Sequence, residues 1–589
     1  MSDTRFPILV GWFTRRTAPA PVDDRSAAPR WIDALLLLAL VAVGYGIMRA
    51  AAEWRAPLSA GAQINLSIGR LPYYAGLSTL RMTIAYIISL AFSLVYARVA
   101  AASRIAERIL MPLLDILQSI PILSFMPGVV LGLAALFPGR TIGLELAAVI
   151  LIFTSQAWNL AFSFHQSLIT IPRELSEAAV VYRLGAWRRF TKLELPYGAI
   201  ALVANSMMSW AGGWFFLMAS EQFTLGDKNL RLPGLGSYLA RAADVGQTTA
   251  LVAGLLTLIT VIVLLDQLLW RPLVAWSDRF KFEQTGAADA PQSAVLDAVM
   301  GSAATRWFSA TVARPALSFL DRVLSPQHVA AETSRRGRYR VIPIALAVFA
   351  GVALVWLVAA GAWSAARVVS ILTWHDWRYV LLCAGATFLR TTVALVLAAA
   401  WTIPAGVAIG MNPRLSHRIQ PLVQIAASVP ATAIFPILLF AMLALPGGLN
   451  LAAVGLMLLG TQWYVLFNVI AGAMAIPSDL REAAVTYHVT GWRRWKTLIL
   501  PAIFPYLVTG MITATGGAWN ASIVSEYVTF AGKKVSTLGL GALIAQAADT
   551  GRFPLLLAGT LVMSAIVIAG NRLVWRRLYA LAESRFRLE

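Results

Sequence analysis

The sequence predicts an all-α, polytopic membrane protein of two tandem, parallel six-helix units, about twelve transmembrane helices in all. Three observations lead there. Of 589 residues, 59% are apolar and 13% charged, and apolar runs long enough to cross a bilayer recur from Trp31 onward. An internal repeat is the second: ELSEAAVVYRLGAWRRF runs from Glu174 to Phe190, and 305 residues later DLREAAVTYHVTGWRRW runs from Asp479 to Trp495. Third, the Lys and Arg residues behind the net charge of +20 gather in alternate connecting segments, a topology signal rather than a nucleic-acid surface.

Spans of the first unit are expected near 32–52, 76–97, 112–136, 143–167, 197–219 and 248–270, and those of the second near 341–364, 380–408, 421–444, 450–474, 502–525 and 553–571. Residues 1–30 carry Arg5, Arg15, Arg16, Arg25 and Arg30 and are too long for the polar part of a signal peptide, so the first apolar run reads as a retained helix. The units then occupy 31–279 and 341–575, with a linker at 280–340 and a tail at 576–589. An even span count returns each unit to its starting side. With the N-terminus cytoplasmic, the inner segments hold Arg98, Arg104, Arg183, Arg188, Arg189, Arg481, Arg493 and Arg494, and the linker and C-terminus are cytoplasmic too. The linker reads as a tether with some surface helix, having weak helical periodicity over Val295–Val323. Prolines at 121 and 127, matched by Pro430 and Pro436, are expected to break the third helix of each unit.

Matches at the 305-residue offset continue outside the quoted segment. Trp158 pairs with Trp463, Trp214 with Trp519, Glu221 with Glu526, Gly234-Leu235-Gly236 with Gly539-Leu540-Gly541, and Asp244 with Asp549. Parallel repeats imply a pseudo-two-fold axis along the membrane normal. The quoted segment reads as a short amphipathic helix at the inner surface. Its stripe is Leu175, Ala179, Tyr182, Ala186 and Phe190 in one copy and Leu480, Ala484, Tyr487, Gly491 and Trp495 in the other. Small residues Ala178, Ala179, Ala483 and Ala484 suit close insertion against a partner, and Glu177 and Glu482 sit in the first turns, open to a basic or backbone-donor group. Arg188-Arg189 and Arg493-Arg494 lie toward the far end. A lipid-headgroup anchor would explain one such helix, but two copies with the same Glu-Ala-Ala and the same spacing to Leu-Pro ask for more.

Glu-Ala-Ala with Pro nineteen residues after the Glu (Glu177 to Pro196, Glu482 to Pro501) resembles the EAA loop of ABC importer permeases. The text around Ile523-Val524-Ser525-Glu526-Tyr527 and Gly539-Leu540-Gly541 resembles the nitrate, sulfonate and taurine permease group in duplicated form, over most of 76–270 and 380–575. The resemblance implies a type I ABC importer permease-like fold in a bacterial inner membrane. It also implies coupling helices carrying Glu177 and Glu482, two ATP-hydrolysing partner subunits that use the ATP, and an extracytoplasmic solute-binding protein. The substrate it implies is a small solute, an anion such as nitrate or a sulfonate. One departure stands out: the family places Gly six residues after the Glu, where this chain has Arg183 and His488, so a straighter helix or a shifted turn is expected.

The chain has no GxxxxGK[ST] loop, no paired metal-ligand pattern, and a single cysteine, Cys383, which rules out an internal disulfide. It is expected to be no enzyme by itself, to hold no cofactor or metal, and to bind membrane lipid but no nucleic acid. Charged residues within spans are costly and so informative. Arg81 and Arg390 open the second helices, and Glu221 and Glu526 close the fifth. Either they snorkel to the outer headgroups and pair with each other, or they form an anion-attracting gate. With Trp214, Trp519, Pro127 and Pro436 they are the transport-path candidates, the path being a constriction of the third and fifth helices. An ion-coupled secondary transporter is the alternative from another class, for which paired mid-membrane carboxylates are missing because Glu145 and Asp266 have no acidic equivalents; a docking scaffold is the other.

Overall fold

A computed structural model describes residues 64–222, 231–280, 293–324, 359–443, 445–530 and 533–585, with short pieces at 224–225 and 228–229 and single residues at 34 and 356. The expected helix near 32–52, the start of that near 341–364 and the 1–30 segment lie outside the described residues, apart from those single positions.

The first unit runs α1 (Leu71–Ala101), α2 (Arg104–Ser119), α3 (Ile122–Leu136), α4 (Ile142–Ile169), α5 (Arg173–Val181), α6 (Ala186–Arg189), α7 (Leu195–Glu221), the strand pair β1 (Thr224–Leu225) and β2 (Lys228–Asn229), α8 (Leu235–Val245), α9 (Thr248–Leu265) and α10 (Arg271–Ser277). The linker contributes α11 (Ala294–Gly301), α12 (Ala303–Phe308) and α13 (Arg314–Leu324). The second unit repeats the first as α14 (Trp374–Met411), α15 (Pro413–Ser428), α16 (Ala431–Leu443), α17 (Gly448–Met474), α18 (Ser478–Thr486), α19 (Gly491–Arg494), α20 (Leu500–Ser525), β3 (Tyr527–Phe530) with β4 (Lys533–Ser536), α21 (Leu540–Asp549), α22 (Phe553–Gly570) and α23 (Arg576–Arg585). Both strand pairs are antiparallel hairpins, a small addition to the expected all-α architecture.

Among the described residues, eight helices are long and apolar enough to cross a membrane, and two further helix pairs qualify jointly but are bent, α2 with α3 by 92° and α15 with α16 by 81°. The bends have a local cause. Ile120 and Val429 precede prolines, whose rings exclude the helical conformation from the residue before them, and both are extended at ψ 123° and 118°. Pro127 and Pro436 do not break anything: they lie inside α3 and α16, which continue through them, so the expected double break is corrected to a single one at Pro121 and Pro430. π-helical turns also repeat, at Phe190–Glu194 and Trp495–Ile499 and again at Asp266–Trp270 and Asn571–Trp575.

The two units share one core. Leu123, Val130 and Leu151 of the first pack in the same buried cluster as Trp519, Leu540 and Met563 of the second. Across that seam Asn520 accepts a hydrogen bond from the Leu123 backbone N–H at 3.1 Å, satisfying a donor that the start of α3 leaves without a helical partner.

Candidate functional site

The repeated segments are helix–turn–helix units rather than single helices. α5 ends at Val181 with a Schellman closure: Leu184 N–H donates to Ala179 C=O at 2.9 Å and Arg183 N–H to Val180 C=O at 2.9 Å. In α18 the same bonds run from Val489 to Ala484 and from His488 to Val485, at 2.8 and 3.0 Å. This closure needs a left-handed residue, and Arg183 (φ 49°) and His488 (φ 52°) supply it where glycine would do so without strain. The turn is therefore neither straightened nor shifted. The expected stripe also stops at the turn: Ala179 and Ala484 are buried, but Tyr182 and Tyr487 are exposed.

The outward face of each unit carries Glu177 or Glu482, both exposed, beside uncovered apolar side chains: Val180 and Val181 in one copy, Val485 and Tyr487 in the other. The four arginines have different surroundings. Arg189 meets Glu194 at 3.1 Å, and Arg98 reaches the other oxygen of Glu194 at 3.1 Å, donates to the Ala186 carbonyl and lies 5.0 Å from the Phe190 ring. Arg188 meets Asp321 of the linker helix α13 at 3.5 Å. Position 499, equivalent to Glu194, is a buried isoleucine, so Arg493 and Arg494 have no such carboxylate there.

At the far ends of the long helices, each unit builds a buried clasp. Arg81 donates to Glu145 through Nε (2.5 Å) and Nη2 (2.7 Å), and through Nη1 to Glu221 (2.7 Å) and to the Pro233 carbonyl (2.8 Å). Glu221 also accepts from Ser78 at 2.6 Å and from the Gly236 N–H at 2.7 Å. In the second unit Arg390 bonds Glu526 (2.8 Å), Asn450, Thr537 and the Leu538 carbonyl, while Glu526 accepts from Thr387 and the Gly541 N–H. Arg81 is 1% exposed and Glu221 and Glu526 are 0% exposed, so these side chains do not snorkel; they tie three helices to the loop entering α8 or α21. The Gly-Leu-Gly repeat follows from this packing: a Cβ on Gly234 would sit 2.3 Å from the Glu221 carboxylate, and one on Gly539 2.1 Å from that of Glu526. Just outside, Asp244 pairs with Arg231, and Asp549 with Lys534 and with Tyr527 at 2.6 Å; burial and the Asp549 hydrogen bond push the Tyr527 hydroxyl up to about 12.

A cavity of about 370 Å³ lies between the units, walled by α7 and α9 of the first and α15, α17 and α20 of the second. Trp214 lines it; Trp519, Pro127 and Pro436 do not.

The family profile for the binding-protein-dependent transport system inner membrane component matches residues 89–269 and again 402–588, more than half of the chain and once in each unit. The chain belongs to that family. Relatives of this permease include a nitrate import permease protein of Leptolyngbya laminosa (27% identical over 167 residues, 28% of this chain and 56% of that protein). A bicarbonate transport system permease protein of Synechococcus elongatus is 29% identical over 143 residues, 24% of this chain and 50% of that protein. A taurine transport system permease protein of Escherichia coli is 24% identical over 197 residues, 33% of this chain and 68% of that protein. Each match thus spans between half and about two thirds of the relative's own length. The permease is a transporter subunit and not a catalytic enzyme.

The sequence-predicted residues do not form one site: some lie in the repeated helix–turn–helix segments, some in the paired clasps, Trp214 lies on the cavity wall, and Trp519, Pro127 and Pro436 lie in none of these places. Sequence reasoning set Glu145 aside for want of an acidic equivalent and missed Asn450, although the two bind equivalent arginines, Arg81 and Arg390. It also missed Val180, Val181 and Val485, whose exposure on an inner helix became visible only once the turn was placed.

Proposed function

We propose that this permease supplies the whole membrane pore of an ATP-driven importer in a bacterial inner membrane, each unit receiving one ATP-hydrolysing subunit at its coupling segment. The observation that carries this reading is the duplicated, exposed Glu-Ala-Ala helix with its apolar neighbours, at the same place in the element order of both units. A carboxylate beside uncovered apolar side chains is suited to a partner groove offering charge-assisted donors. ATP binding would draw the two partner subunits together, and the coupling segments, anchored through the π-turns to α7 and α20, would pass that motion to the long helices. The unit boundaries 31–279 and 341–575, six spans per unit and cytoplasmic termini and linker belong to the same proposal.

The relatives' names, nitrate, bicarbonate and taurine, support a small anionic solute, delivered by an extracytoplasmic binding protein. The path would follow the cavity beside Trp214, with the clasps at Arg81, Glu221, Arg390 and Glu526 holding the outer ends of the moving helices and Pro127, Pro436 and Trp519 packing behind it. The test is co-expression with the ATPase subunits. Glu177→Ala with Glu482→Ala should leave membrane insertion intact and reduce ATPase co-purification and ATP-driven uptake, since each charge-assisted bond contributes roughly 1.5–3 kcal/mol. Unchanged subunit occupancy and flux would sink the coupling role. Cysteines at Gln247 and Asp297, in a Cys383→Ala background, should label from outside and inside respectively; the reverse pattern inverts the topology.

A further inference from the structure

The linker helices are held to one face of the membrane at two points. α7 and α9 are successive spans, and the 11-residue α8 between them is too short to cross, so the start of α7 and the end of α9 lie on the same side. α10 follows α9 through a π-turn and packs against α7, and α11 packs against α10. At its other end the linker reaches α6, which leads into α7: α13 packs against α6, and Asp321 meets Arg188 at 3.5 Å. A π-turn at Ser309–Ala313 joins α12 to α13, giving one helical stretch over 303–324 that is about 30 Å long and stays beside the span ends.

This stretch is two-sided. At helical spacing Ala316, Leu317, Phe319, Leu320 and Val323 share one side of α13, and Arg314, Ser318 and Asp321 the other. The side that meets protein is the polar one, through Asp321. The apolar side is left uncovered: Phe319 is 64% and Val323 56% exposed, and Trp307 of α12 is 64% exposed. An uncovered apolar face of this extent marks a contact with another apolar medium. Its charges say which. Between 303 and 324 the sequence has three arginines against one aspartate, and Arg306 and Arg314 are exposed. Arginine with Trp and Phe along one helix suits the boundary between anionic headgroups and acyl chains, and that boundary is at hand where the spans end. A soluble partner fits less well, because it would approach from the water side and not along the lipid.

We propose that α12 and α13 form an amphipathic anchor for an anionic lipid surface, with Trp307, Phe319 and Val323 among the upper acyl chains and Arg306 and Arg314 among the headgroup phosphates. The Asp321–Arg188 pair then joins this anchor to the first coupling segment, so that the lipid surface helps to position α6. The importer reading is needed only to call the leaflet the inner one and the segment a coupling segment; the contact with lipid stands on the position of the linker beside the span ends and on its uncovered face.

The test uses the full-length permease in a Cys383→Ala background, spin-labelled at Ser318→Cys, Phe319→Cys or Val323→Cys, all exposed positions where a label disturbs no packing. In nanodiscs of phosphatidylethanolamine with phosphatidylglycerol, without ATPase, the labels at 319 and 323 should be several-fold more accessible to oxygen, which concentrates in lipid, than to a water-soluble nickel chelate; the label at 318 should show the reverse. Arg306→Gln with Arg314→Gln should raise chelate access at 319 several-fold, and so should replacing both lipids by phosphatidylcholine with the arginines intact. Three labels equally open to the chelate, or no response to either the arginine variant or the lipid exchange, would overturn the proposal. Protection at 319 and 323 that arises only on adding ATPase subunits would overturn it too, since the occupant of the apolar side would then be the partner. A lipid signature in a permease that recruits no ATPase would remove the importer reading and leave the anchor standing; ATPase recruitment and ATP-driven uptake with all three labels in water would do the reverse.

Discussion

Arg81 holds Glu145 through two hydrogen bonds, at 2.5 and 2.7 Å, where the equivalent Arg390 holds the amide of Asn450 at 3.1 and 2.9 Å. One clasp therefore contains two carboxylates around a guanidinium and the other contains one. Removing the arginine from the first strands two buried charges; removing it from the second strands one. Arg81→Gln is expected to destabilise by about 3–5 kcal/mol. Arg390→Gln, whose side chain is 12% exposed and can be partly replaced by water, should cost less, about 1–3 kcal/mol. Denaturant unfolding in detergent measures both, and equal losses would show that Glu145 adds nothing to the first clasp.

The glycines facing those carboxylates give a sharper steric test. Gly234→Ala and Gly539→Ala place a methyl carbon 2.3 and 2.1 Å from a carboxylate that cannot move without losing its other bonds. Each should cost about 1–3 kcal/mol, the range for overpacking a filled interior. Gly516→Ala is the control, because its added carbon meets nothing within 4 Å in the middle of α20 and should be neutral or slightly stabilising. Similar unfolding midpoints for all three would contradict the close approach.

How much of this was legible in the sequence depends on whether a feature is local or shared. The repeat, eight of the expected spans and the Glu-Ala-Ala helices could be read because charge in an apolar chain and matches at one offset are visible one residue at a time. Arg81 and Glu221 were visible for the same reason, yet their partner Glu145 was not, since an acid answered by an amide in the other unit looks unpaired until the arginine between them is placed. The turn at Arg183 was hidden by residue type: neither Arg nor His signals a left-handed backbone, although the apolar Leu184 and Val489 just beyond are where a Schellman closure places one. The cavity has no sequence signature, because its walls come from positions more than two hundred residues apart that are brought together only by the packing of one unit on the other.

Arg183 and His488 each hold a backbone conformation that an L side chain with a Cβ adopts at a cost of roughly 1–2 kcal/mol. Arg183→Gly and His488→Gly should therefore preserve the helix–turn–helix and relieve part of that strain, raising stability by up to about 1 kcal/mol with ATPase binding retained. Arg183→Val, β-branched in the same conformation, should lower both stability and ATPase co-purification. A loss of ATPase binding in the glycine variants would mean that the arginine and histidine side chains themselves touch the partner.

Glu194 offers a way to disturb one coupling segment and leave the other untouched. Its two oxygens meet Arg98 and Arg189 at 3.1 Å each, bracing α6 against α1, and the counterpart in the second unit is Ile499 in an apolar cluster with Trp495. Glu194→Gln keeps the shape but leaves two cations without their carboxylate, so the first coupling segment should loosen while the second is unchanged. Native mass spectrometry of the permease co-expressed with its ATPase subunits should then show complexes carrying one ATPase in place of two, with insertion and the unfolding midpoint of the second unit preserved. Ile499→Glu gives the mirror test. At the offset that relates Arg81 to Arg390, the counterpart of Arg98 is Val407, which lies in the same apolar cluster as Ile499. The new carboxylate would thus have Arg494 to answer it but no equivalent of Arg98, and the second segment should be the one to loosen. If Glu194→Gln retains two ATPase subunits at raised salt as well as at low salt, the brace is structural only and the two segments dock independently of it.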